Sequence, residues 1–107
     1  MKRFFKWALA LIVTAGALFF GLVYYDQSLS ERCVRGELQS RVDACTTYIS
    51  FFSWADGIDE AYHNRGMAYK AMGETEKAIA DLRVSAGMNQ PGSSVSREAL
   101  QDLGATP

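Results

Sequence analysis

Hydrophobic and polar positions change their period along the chain. From Trp7 to Tyr25, 19 residues run without a charge, and Thr14 is the one clearly polar aliphatic side chain among them. Such a run predicts a membrane-crossing helix of about 28 Å, close to the roughly 30 Å of bilayer hydrocarbon. Without water to satisfy its backbone, a single segment there can only be helical. Phe4, Phe5 and Trp7 at one end and Tyr24 and Tyr25 at the other have the placement of interfacial aromatic belts. Ala10, Thr14, Ala17 and Gly21, spaced by four, three and four, share one face. Small residues in such a stripe let a second membrane helix approach closely, although Ala and Gly are also simply common in membrane helices.

Beyond residue 25 the apolar positions keep a helical period and nowhere alternate as a strand would. Ser28-Leu29-Ser30-Glu31 fits a capping box and predicts a new helix just outside the membrane, broken at Gly36. Leu38, Val42, Cys45 and Ile49 mark one face of a second helix, from Glu37 to about Phe52. Asp56 reads as an N-cap for a third, from about Gly57 to Met72, which Gly73 stops. A fourth runs from about Thr75 to Met88 and ends at Gln90-Pro91-Gly92, and Ser93 or Ser94 can cap a short last helix to Leu103. The expected class is all-α, one transmembrane helix followed by helical hairpins.

Charge sharpens the topology. The net charge is −1, but Lys2, Arg3 and Lys6 stand in the first 25 residues with no acid, leaving eight bases against all 12 acids in the rest. Basic residues stay in the cytoplasm, so residues 1–6 form a cytoplasmic N-terminus, residues 7–25 the transmembrane helix, and the remainder an exported domain. In a bacterium this is a single-pass inner-membrane protein with a periplasmic domain; a lumenal or extracellular domain is the eukaryotic equivalent. A cleaved signal peptide is the competing reading, with Ala15-Gly16-Ala17 as the cleavage region. Cutting there leaves a mature end of Leu18 to Tyr25 that is almost wholly apolar, which favours retention. The residues before Cys33 are Ser30, Glu31 and Arg32, which is no lipobox. The exported part lacks the basic excess of a nucleic-acid binder.

Both cysteines, Cys33 and Cys45, lie in the exported part, where disulfides persist. A bridge between them closes a 13-residue loop; two unpaired buried thiols are the other reading. With one histidine, His63, two thiols fall short of a four-ligand zinc site, and there is no Cys-x-x-Cys pair.

Residues 59–91 resemble the tetratricopeptide repeat (TPR), with the match running from Ala61 to Pro91. Tyr62 stands at the large aromatic position, Gly66 at the helix crossing, Ala68-Tyr69 at the Ala-Tyr pair, Gly73 at the turn, Ala78-Ile79 at the Ala-Ile pair and Leu82 at the packing position. Arg65 replaces the usual Leu, Ser85 the small Ala, Gly87 falls inside the second helix and Pro91 comes one residue late. Residues 26–58 resemble a degenerate preceding hairpin followed by an aromatic loop. On that alignment Cys33 ends its first helix and Cys45 packs from its second. Residues 92–107 are then a capping helix and tail.

The resemblance implies a binding surface and no chemistry. Its concave face carries over to Glu60, His63, Met67, Lys70 and Ala71, a groove for a protein partner. Only Lys70 and Asn64 are available to clamp a peptide carboxylate. An enzyme would have to use His63, and no nucleophile shares its turn. No phosphate, calcium or metal motif occurs, so no cofactor or small-molecule substrate is expected. In Tyr48-Ile49-Ser50-Phe51-Phe52-Ser53-Trp54, Phe51 falls at a core position, while Phe52 and Trp54 are surplus and mark a partner or membrane contact, or cover for a missing repeat. Solenoids generally need three or more units, and this chain has about two. The expectation is an accessory or assembly subunit on a larger membrane complex; a tethered receptor for a periplasmic peptide or client is the alternative.

Overall fold

The computed structural model describes residues 1–107, the side chain of Asp26 excepted. Five helices follow one another: α1 (Lys2–Arg35), α2 (Leu38–Phe51), α3 (Ile58–Ala71), α4 (Thr75–Gly87) and α5 (Ser93–Asp102), with no strand among the described residues. α1 is long and apolar enough to cross a membrane, and nothing in its most apolar 18-residue window is buried against the rest of the chain.

The capping box at Ser28 is overturned. α1 continues without a break through Ser28-Leu29-Ser30-Glu31 for 34 residues, about 51 Å. A capping box acts where a chain enters a helix from outside. Here there is neither Gly nor Pro between Tyr25 and Arg35, so the ladder of i to i−4 bonds has no reason to stop. Gly36 does stop it. Its backbone is extended, and a Cβ there would run into the Arg32 carbonyl oxygen, so only glycine lets the chain turn this tightly into α2.

α1 and α2 form one hairpin, α3 and α4 a second joined at Gly73, whose φ of +79° favours glycine, and α5 packs on α4. α2 also packs on α3, and α3 reaches back to α1. The core has two parts. Leu29 and Cys33 of α1, Ala44 and Cys45 of α2, and Ile58 and Ala61 of α3 form the first, with Tyr48, Ile49, Phe52, Tyr62 and Met88 packed against it. Leu82, Ala86, Ala99 and Leu100 form the second, closed by Met67, Ile79 and Leu103. Cys33 and Cys45 meet at disulfide distance, their Cα atoms 4.7 Å apart, tying α1 to α2.

Asp56 is not the N-cap of α3. Gly57 takes that place at φ +87°, with no side-chain cap bond, because its left-handed turn already aims its carbonyl at the Glu60 N–H. Neither Ser93 nor Ser94 caps α5 with its side chain; Gly92 is the N-cap residue.

Gly66 is the close approach between α3 and α4. A Cβ there would stand 3.0 Å from Leu82 Cγ and 3.2 Å from Asp81 Cβ. Gly66→Leu is expected to force the two helices apart and cost about 1–3 kcal/mol, read as a lowered Tm by circular dichroism in detergent. Closing the Cys33–Cys45 loop is worth about 3 kcal/mol on the chain-entropy model. Alkylation of the exported protein should label neither cysteine until a reductant is added; two freely labelled thiols would refute the link.

Candidate functional site

The resemblance to the repeat implies one open groove of Glu60, His63, Met67, Lys70 and Ala71, and the structure divides them. α3 turns His63 and Met67 toward α5. His63 Nδ1 lies 2.8 Å from Ser96 Oγ, and Met67 packs on the Leu82–Leu100 cluster. Glu60 and Asn64, one turn apart, face α1 instead and line a cleft of about 220 Å³ with Ser30, Val34, Tyr48 and Asp56. Lys70 is half-buried near the far end of α3, and Ala71 is exposed as its last residue. Three of the five thus serve two neighbours, and Lys70 and Ala71 serve neither, because a helix flanked on both sides offers its two edges to different helices.

The α3–α4–α5 junction is a polar seam. Ser96 Oγ stands 2.7 Å from Ser85 Oγ, and both residues are fully buried. Ser93 Oγ donates to the Ser85 carbonyl at 3.0 Å and accepts from the Gln90 N–H. Asp59, also buried, accepts from the Gly92 N–H at 2.9 Å, so a carboxylate from α3 satisfies the free amide at the start of α5. Position 92 must be small, because a Cβ there would stand 2.6 Å from Asp59 Oδ2. No nucleophile shares the turn of His63, and the hydroxyl beside it, that of Ser96, arrives from 33 residues away. With Ser96 enclosed, the hydroxyl orders α5 and presents no surface to a substrate.

Arg65, one of the departures from the repeat pattern, cross-links three helices. Its Nε and Nη2 donate to the two carboxylate oxygens of Asp81 on α4 at 2.7 and 2.8 Å, and Nη1 donates to Thr46 Oγ1 on α2 at 3.1 Å. The guanidinium also lies 5.5 Å from the Tyr62 ring centroid. Donating to Asp81 raises the guanidinium pKa above its ordinary value, and the fork-to-fork geometry explains why Arg and not Lys stands here.

At the end of α2 the expected roles are exchanged. Phe51, expected in the core, is 70% exposed, whereas Phe52 packs inward, its ring 5.1 Å from Tyr48. Cys45, Tyr48, Ile49 and Phe52 follow i, i+3, i+4, i+7, and Phe51 is out of that phase. Trp54 is 80% exposed. In the membrane segment the Ala10-Thr14-Ala17-Gly21 stripe is uncovered within the chain, and Thr14 Oγ1 is satisfied by the Ala10 carbonyl at 2.9 Å. No cluster of metal-ligating side chains occurs among the described residues.

Burial lowers the His63 pKa from its ordinary 6.5, with Asp59 and Glu60 opposing in part. The unfolded chain therefore binds the proton at higher pH than the folded one. The His63 contribution is complete above about 6.5 and is lost as pH falls from there through the lowered folded value. Between about pH 8 and about pH 5 the amides of α5 should lose hydrogen-exchange protection, and His63→Gln should flatten that dependence. An equal pH response in His63→Gln would exclude this histidine as the cause.

No family model, curated protein or solved structure matches this chain.

Proposed function

We propose that this chain is a non-catalytic, membrane-anchored interaction protein with a short TPR-like domain, an accessory or assembly subunit that docks on a larger membrane complex from the periplasmic side. The continuity of α1 carries this reading. The helix that is long and apolar enough to cross the bilayer also supplies Leu29 and Cys33 to the domain core, 2% and 3% exposed. A domain joined to its anchor by a rigid helix is held at one height and one orientation. That suits a subunit registered against a fixed neighbour better than one that samples a volume on a flexible tether. The uncovered small-residue stripe gives the anchor a face for a neighbouring membrane helix.

The second reading is a tethered receptor or chaperone-like adaptor, and the α1–α3 cleft favours it. Glu60 and Asp56 give the cleft acidic character, and Val34 and the Tyr48 ring an apolar one. A short peptide segment is the ligand size that such a cleft admits.

Extraction in mild detergent followed by native electrophoresis separates the two. Co-migration and co-purification with a larger membrane assembly are expected; a free monomer or homodimer would favour the receptor. Ala17→Leu with Gly21→Leu should reduce co-purification while leaving the helical domain folded, and an undiminished yield of partner would remove the stripe from the interface.

A further inference from the structure

The hairpin geometry returns the end of α2 to the level at which α1 leaves the apolar run. Cys33 and Cys45 face each other with Cα atoms 4.7 Å apart, and α2 runs antiparallel to α1. Six residues on from Cys45 is Phe51, the last residue of α2; six residues back from Cys33 is Gln27. Phe51 therefore stands about level with Gln27, only two residues, or about 3 Å, beyond Tyr25, the end of the charge-free segment. By Asp56 and Gly57, just before α3, the chain is back at the α1–α3 cleft that Ser30 lines. The turn between, at Ser53 and Trp54, whose ring stands 6.4 Å from that of Phe52, is then the part of the domain nearest the level of Tyr24 and Tyr25.

Burial separates the aromatic side chains at this end into two sets. Tyr48 and Phe52 pack on the Leu29–Cys33 core, while Phe51 and Trp54 are 70% and 80% exposed. Tyr24 and Tyr25 are 75% and 51% exposed at the same level. Counted along the hairpin, these four exposed aromatic side chains fall near one height. Trp and Tyr favour such a level because it offers apolar contact to the ring and water to the polar edge. Residues 52–57 carry no cation and one acid, Asp56, so the contact is aromatic and does not depend on anionic lipid.

We propose that Phe51 and Trp54 are a second membrane contact, inserted into the headgroup region of the bilayer that α1 crosses, so that the domain rests on the lipid surface. This rests on the reading of α1 as a retained anchor.

The two tryptophans, Trp7 and Trp54, allow the proposal and that reading to be tested apart. The full chain is reconstituted in phosphatidylcholine vesicles with or without brominated acyl chains, as Trp7→Phe to report Trp54 and as Trp54→Phe to report Trp7. Bromolipid should quench most of the Trp54 emission, with a blue-shifted spectrum and little quenching by aqueous iodide. Trp7 quenched by bromolipid but Trp54 by iodide would overturn the lipid contact and leave the anchor standing. Trp54 shielded from both quenchers would mean that protein covers it, which also overturns the contact. Trp7 insensitive to bromolipid would overturn the anchor and this proposal with it. A seven-residue helical insertion after Gln27 raises the domain by about 10 Å on nearly the same face. It should exchange lipid quenching of Trp54 for iodide quenching, and unchanged lipid quenching would overturn the register that carries the argument.

Discussion

Leu29 and Cys33 sit one turn apart near the end of α1, and through them a helix long and apolar enough to cross a membrane becomes the first wall of a helical core. The same backbone ladder runs unbroken from Lys2 to Arg35, with neither Gly nor Pro after Gly21 to interrupt it on the way into the domain. Apolar side chains surround the helix on all sides over its charge-free segment, then retreat to a single stripe where α2 and α3 cover one side. Gly36 ends the helix and reverses the chain, and the Cys33–Cys45 link holds the returning helix in register. The positions of α3, the cleft and the aromatic end all follow from that hairpin.

Farther from the membrane, polar contacts take over part of the work of a small core. A domain of this size has little apolar surface to bury, and the buried alanines of α3 and α4 add little each. Arg65 with Asp81 and Thr46, and the chain of Ser96, Ser85 and His63, define how α2, α4 and α5 sit on α3. Such bonds are directional, so they select one arrangement of short helices among several that would bury similar area. Arg65 and Ser85 are also two of the four positions at which the sequence departs from the proposed repeat pattern. Both departures have a partner in this structure.

These features favour a molecule whose role is to hold a shape at a membrane. The anchor, the cleft and the exposed aromatic end are mutually fixed, so a partner meets them in one geometry. In the proposed orientation the domain leans on the bilayer and its α1–α3 cleft opens close above the lipid headgroups. Either reading of function, docking subunit or peptide receptor, uses that height.

The sequence by itself determined the helical class, the apolar helix and the limits of α2 to α5 to within one or two residues, because glycine turns and the apolar period are local signals. It also identified the cysteine pair and the outstanding aromatic segment. It misjudged whatever depends on distant residues. A Ser-x-x-Glu pattern looks the same at a helix start and inside a helix, and only the uninterrupted α1 showed which it was. Phe51 and Phe52 are equivalent as composition, and the packing phase against Leu29 and Cys33 decided which one faces water. Ser96 reached His63, and Asp59 reached Gly92, across 33 residues each. Spacing along a chain reports which residues share a face, whereas the neighbour that face meets is set by the packing of the other helices, and that is known only once the chain is folded.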